Sequence, residues 1–197
     1  MKKLENLVSD IYSVLSPLTE GEALDISDKD IDDFGEAIKD VVRHWATPKA
    51  RDSNTLRMSN IGKPSRQLWY DLKYKREESS FEDSHLPIKF LYGHLLEEVL
   101  LFLVKMSGHK VEDEQKEVEV KGVKGHIDCK IDGEVIDIKT ASGFAFNKFR
   151  NGTLREDDPF GYMAQLAGYE EAEGTTNGGF LVINKESGEL TLYQPEE

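Results

Sequence analysis

The chain has 197 residues, of which 38% are hydrophobic and 32% charged, and a net charge of −13. That length suits one domain with a real core, possessing at most an appendage, and no apolar run reaches the roughly 18 uncharged residues of a membrane helix, so a soluble globular protein without a membrane segment is expected. A single cysteine, Cys129, excludes an internal disulfide and any multi-cysteine zinc or iron–sulfur site, which makes a reducing, intracellular setting the default.

The N-terminal stretch MKKLENLVSDIY carries acids inside its apolar pattern and so does not read as a signal peptide. Over residues 2–16, Leu4, Leu7, Val8, Ile11, Val14 and Leu15 form a helical stripe. A polar loop follows, and Asp28 or Asp30 is placed to cap a second helix through about Trp45, with Ile31, Phe34, Ile38, Val41, Val42 and Trp45 on one face. These helices carry no chemistry of their own and read as packing elements or a lid. Residues 1–40 hold eleven acids and four bases, whereas residues 47–76 hold eight bases and two acids. The overall acidity argues against a protein that simply coats nucleic acid. One basic stretch in an acidic chain still offers a local seat for a polyanion, or else is ordinary variation along a solvated surface.

Residues 46–62 read as a loop, and Pro64 suits the first turn of a short helix to about Tyr74. Its free N–H groups, flanked by Lys63 and Arg66, make a seat for phosphate; the alternative is an amphipathic helix that buries Leu68 and Trp69. Residues 77–86 are acidic, and residues 87–107 form the longest helix, ended by Ser107-Gly108, with Ile88, Leu91, Leu95, Leu96, Val99, Leu100, Leu103 and Val104 in a broad stripe. Glu97 and Glu98 sit amid those leucines. Residues 109–121 alternate as one edge-type strand.

The stretch Gly125 to Ser142 reads as a hairpin turning at Asp132-Gly133, because a type I′ turn needs positive φ at both central residues. The register then sets Ile131 against Glu134, Cys129 against Ile136 and Asp128 against Asp137. Lys139 shares the face of Asp137 and stands opposite His126, while Ile127, Cys129, Ile131, Ile136 and Ile138 face a core. Two carboxylates opposed across a hairpin repel unless a cation lies between them; the alternative is a polar face merely solvated. A short helix over 142–151 carries Lys148 and Arg150. Pro159 opens another to about Glu173, where Gln165 and Tyr169 share a face. Residues 178–183 make a buried strand and 189–193 a last one.

In this order, Gly93-x-x-x-Glu97, Gly125-His126-Ile127-Asp128, Val135-Ile136-Asp137-Ile138-Lys139-Thr140 and the run Tyr162 to Tyr169 with Gln165-x-x-x-Tyr169 resemble the PD-(D/E)XK nuclease superfamily, in its RecB-like and phage exonuclease branches. The resemblance spans about Lys63 to Ile183. It implies an α/β (α+β) restriction-endonuclease-like core, a central mixed sheet flanked by helices, over residues 47–197, with residues 1–46 as an N-terminal helical extension.

The resemblance further implies phosphodiester hydrolysis with Mg²⁺ or Mn²⁺, held by Asp128, Asp137, Glu97 and the Ile138 carbonyl. His94 is the alternative to Glu97 on the long helix. Lys139 would orient or help deprotonate the attacking water, and Gln165 and Tyr169 would brace Lys139 or touch the nucleic-acid backbone. Lys63, Ser65, Arg66, Tyr70, Thr140, Ser142, Lys148 and Arg150 are the residues expected to hold the strand. Where iron–sulfur members carry a cysteine before an Arg, Pro64 stands here, so no cluster is expected. Trp69, Tyr70 and Phe144 read first as core and second as base-stacking groups. The implied activity is that of a phage or bacterial deoxyribonuclease in recombination, repair or host-DNA breakdown, cytoplasmic, with exonuclease action on DNA ends preferred. An endonuclease or a catalytically silent binding module is the alternative, and a homo-oligomer or a recombination or replication partner protein is compatible with it.

Overall fold

The structure, a computed structural model, describes residues 2–47, 55–74 and 81–195, without the side chains of Phe81 and Glu82. Lys49, Arg51, Asp52, Lys75 and Arg76 of the basic stretch therefore lie outside the described residues. The chain divides into two compact units, Met1–Ala50 with Glu78–Lys110, and Arg51–Glu77 with Val111–Glu197.

The first unit holds helices α1 (Leu7–Thr19) and α2 (Asp28–Ala46). With α3 (Ser65–Lys73) assigned to the second unit, the long helix here is α4 (Leu86–Met106). The stripe of α4 packs on the two N-terminal helices. Phe34 of α2 stacks on Phe102 of α4 with ring centroids 4.7 Å apart, and the Trp45 indole donates to the Pro87 carbonyl at 2.8 Å. The α2 cap is Ser27, not Asp28 or Asp30. Its hydroxyl accepts from the Asp30 N–H at 3.1 Å, and the two aspartates sit inside the first turn, where the helix dipole favours them.

The second unit is built on a five-stranded mixed sheet in the order β1 (Val111–Glu112), β4 (Cys129–Ile131), β5 (Glu134–Ala141), β6 (Gly179–Asn184), β7 (Leu190–Tyr193). All neighbours are antiparallel except β5 and β6. That parallel pair requires a crossover, which α5 (Gly143–Arg150) and α6 (Tyr162–Glu173) supply. Central strands covered on both faces read as continuous apolar runs; every residue of β6 is buried. Val135, Ala141, Phe180 and Val182 of the sheet pack with Phe146 and Phe149 of α5 and Leu166 and Tyr169 of α6.

The hairpin turns where expected: Asp132 and Gly133 have φ of 54° and 96°, and Cys129 pairs with Ile136 and Ile131 with Glu134. Residues 109–121 are not one strand. The chain turns at Asp113 and Gln115, both with φ of 54°, and β2 (Glu117–Val120) forms a separate two-stranded sheet with β3 (Val123–His126). A second tight turn at Lys121-Gly122, φ of 51° and 81°, joins them. The helix expected from Pro159 starts three residues later, at Tyr162 after the left-handed Gly161.

Candidate active site

The β4–β5 ladder ends at Cys129 and Ile136, one residue short of the two aspartates. Beyond it the chain leaves β5 and pairs with the segment before β2: Ile127 N–H donates to the Lys116 carbonyl at 3.1 Å, and Gln115 N–H to the Asp128 carbonyl at 3.0 Å. The next inter-strand bond of the ladder would have joined Ile138 N–H to a backbone carbonyl. Instead the Asp128 carboxylate accepts it, at 2.7 Å. Asp128 therefore reaches the edge of β5 by its side chain and not by register. His126 belongs to β3, where it pairs with Glu117, and so does not stand opposite Lys139.

Strand alternation puts Val135, Asp137, Lys139 and Ala141 on the face of β5 that α5 and α6 cover. The expected solvated polar face is thus largely enclosed: Asp137 is 1% exposed. Lys139 forms an ion pair with it. Burial alone pushes the Lys139 ammonium down, but the charges of Asp137 and Asp128 outweigh burial and hold its pKa above the ordinary lysine value. The Asp128 carboxylate, held on the Ile138 N–H, lies beside this pair along β5.

Helix α6 closes that site. The Tyr162 ring lies 4.9 Å from the Lys139 ammonium, and the Gln165 amide donates to the Tyr169 hydroxyl at 2.9 Å. Burial pushes the Tyr169 phenol up to about 12; the Gln165 hydrogen bond opposes this, and the charges of Asp137 and Asp128 add to it. Gln165 thus braces Tyr169. Burial likewise raises Tyr162, against the pull of Lys139. The start of α6 is fixed by Asp158, whose carboxylate accepts from the N–H groups of Gly161, Tyr162 and Met163 at 2.9, 3.0 and 2.8 Å.

Packing explains two glycines. A Cβ on Gly125 would come within 2.6 Å of the Met58 side chain and 2.8 Å of Tyr169. Met58, 1% exposed, is thus wedged between β3 and α6. A Cβ on Gly62 would lie 2.3 Å from the Gly161 Cα, so the loop that starts α3 runs in backbone contact with the loop that starts α6. Met58, Gly62, Asp158, Phe160 and Tyr162 were not expected in the site. The Asp-x-x-x-Tyr spacing before α6 was the available sign of a cap.

The other predicted residues fall differently. Lys63 is paired with Asp71 at 2.8 Å, Lys148 with Asp157, and Arg150 with Glu189 at 3.4 Å, so all three are neutralised by acids. Ser65, Arg66 and Tyr70 are exposed on α3, and Thr140 and Ser142 are half-buried at the end of β5. Trp69, Tyr70 and Phe144 are not core: they are 49%, 47% and 76% exposed; α3 buries none of its residues, and α5 buries Phe146 and Phe149 instead of Phe144. Glu97 lies on α4 in the first unit with its side chain 16% exposed, and the His94 imidazole, 61% exposed, stands 3.6 Å from it.

No protein-family model matches the chain, and no curated protein does. Among solved structures, it is similar to the crystal structure of SSO0001, at 20% identity and a TM-score of 0.43, covering 83% of this chain and 77% of that one. It is also similar to an alkaline exonuclease (LHK-Exo) from Laribacter hongkongensis, at 16% identity and a TM-score of 0.42, covering 70% and 79%.

Proposed function

We propose that the chain is a divalent-metal-dependent nuclease that hydrolyses phosphodiester bonds of DNA from strand ends, in phage or bacterial recombination, repair or host-DNA breakdown. The observation that supports this best is the arrangement along β5, where Asp137 is ion-paired with Lys139 and the Asp128 carboxylate is bonded to the N–H of Ile138 between them.

The donor set fits a hard cation. Asp128 and Asp137 supply carboxylate oxygens, and the Ile138 carbonyl leaves the strand on the same edge as the N–H that Asp128 accepts. Among the described residues, no group of three or more His, Cys, Asp or Glu side chains is clustered for an ion. Mg²⁺ commonly keeps several waters beside one or two carboxylates, so this pair suffices as an anchor. A bound ion supplies an activated water and shields the charge that builds on the scissile phosphate. Lys139, ion-paired with Asp137, would stabilise the charge that develops on the phosphate oxygens. The Tyr162 ring faces the Lys139 ammonium, and Gln165 fixes Tyr169 by its hydrogen bond.

The test is incubation of end-labelled linear and closed circular DNA with Mg²⁺ or Mn²⁺. Degradation of the linear form alone is expected. Cutting of both forms marks an endonuclease, and cutting of neither removes the reading. One observation favours a silent binding module as the second reading, namely that Lys139 is itself the cation paired with Asp137.

A further inference from the structure

We propose that the exposed aromatic face of α3 is a track on which an unpaired nucleic-acid strand lies as it enters the site at Lys139. The proposal rests on the nuclease reading of that site and adds the form of the substrate.

Trp69, Tyr70 and Tyr74 are 49%, 47% and 52% exposed. They form a single cluster: Trp69 meets Tyr70 edge-on at 4.9 Å and Tyr74 at 5.9 Å, and Tyr70 stacks on Tyr74 at 5.7 Å. The Lys73 ammonium stands among them, 4.4 Å from the Trp69 ring and 5.6 Å from that of Tyr74. Half-exposed aromatics gathered on one short helix are unusual on a soluble surface and mark a binding site. Half-exposed rings with a cation among them match bases and phosphates in alternation.

The track leads to the site. The Gly62–Gly161 backbone contact fixes the start of α3 against the start of α6. There Phe160, 63% exposed, stacks on Tyr162 at 5.4 Å, and Tyr162 touches Lys139. Trp69 lies about 7.5 Å along the helix axis from Pro64, at 1.5 Å per residue, the length of about two stacked nucleotides. Phe160 is a second stacking surface beside the reacting phosphate.

The occupant is an unpaired strand because only unstacked bases offer their faces to aromatic rings; a duplex keeps them inside. The charge agrees. The described residues 55–74 carry four basic side chains and one acid, in a chain of net charge −13. With Lys63 engaged by Asp71, Arg66 and Lys73 on α3 suit one phosphate backbone, while the acidity of the chain opposes the second strand of a duplex.

The experiment uses the full chain in chelator, so that nothing is cut. The anisotropy of a labelled single-stranded oligonucleotide is compared with that of its blunt duplex. Tighter binding of the single strand is expected, with a loss of roughly tenfold or more in Trp69→Ala/Tyr70→Ala, quenching of Trp69 fluorescence on binding, and near-normal binding in Trp69→Phe. Tighter binding of the duplex, or unchanged single-strand affinity in the double variant, overturns the proposal. Because binding is read without cleavage, an inactive protein that still binds single strands removes the nuclease reading and leaves the track standing. A protein that cuts DNA but binds the double variant's strand normally removes only the track.

Discussion

At the residue scale, Asp137 and Lys139 are tied together by burial. Asp137 is almost fully enclosed while the Lys139 side chain keeps 19% of its surface. Removing the lysine leaves a carboxylate in a poor solvent, which costs less than the 3–5 kcal/mol of a fully buried pair, about 2 kcal/mol. Lys139→Met is therefore expected to lower thermal stability in chelator, to regain more stability from Mg²⁺ than the native chain does, and to lose cleavage by roughly 100-fold or more. Calorimetry with and without Mg²⁺ checks the first two and a gel assay the third; a Mg²⁺ response no larger than the native one contradicts the placement of the ion. Asp137→Asn keeps the shape and is expected to abolish cleavage with the fold intact. The placement of these two residues on one face of a strand was legible because Asp132-Gly133 announces a hairpin and period two does the rest. The exposure of Trp69, Tyr70 and Phe144 was not legible, since an aromatic at helical spacing carries the same signal whether it meets a core or a ligand.

At the element scale, the end of the β4–β5 ladder decides where Asp128 goes. Asp128→Ala leaves the Ile138 N–H without its carboxylate acceptor and is expected to cost about 1–3 kcal/mol in urea denaturation, whereas Asp128→Asn keeps an acceptor and costs less. Equal losses in the two variants count against the side chain as the cap of the strand. This detail was hidden in the sequence because it depends on residues 115–116 pulling residues 127–128 away, a pairing that alternation within one hairpin does not reveal. The Lys121-Gly122 turn was hidden for a simpler reason, since Lys is a weak signal for positive φ beside Asn or Asp. The end of α6 makes a further prediction. Glu173 is paired with Lys130 and, at 2.9 Å, with Lys116. Lys130 lowers its pKa from the usual 4.5 against the opposing effect of burial. A depressed carboxylate stabilises the fold above its unfolded value and loses that contribution as pH falls through the folded one. Stability is therefore expected to decline below about pH 4.5, with Glu173→Gln flattening part of that slope in acid titrations followed by circular dichroism.

At the scale of the whole molecule, the mixed sheet with helices against it is the architecture that the motif resemblance implies, whereas strand order was not legible, because apolar runs and turn residues mark each strand but not its neighbours. The packing partners of α4 were not legible, because its stripe looks the same in sequence whichever neighbours it packs on. Charge carries the last prediction. A protein that grips nucleic acid mainly through phosphates loses affinity steeply with salt, by a slope of about −0.7 per phosphate contacted on a single strand. Among the described residues, Lys63, Lys148 and Arg150 are already engaged by acids, and Arg66 and Lys73 are the cations of α3 that the track offers to a strand. Two to three phosphate contacts correspond to a slope of about −1.5 to −2. The logarithm of single-strand affinity against the logarithm of salt is expected to fall that gently, with Lys73→Ala removing about 0.7 of the slope. Trp69→Ala/Tyr70→Ala is expected to lower the line without tilting it, because stacking releases no counterions. A slope several times steeper would mean that affinity comes from a broad phosphate contact, which the acidic surface of this chain opposes.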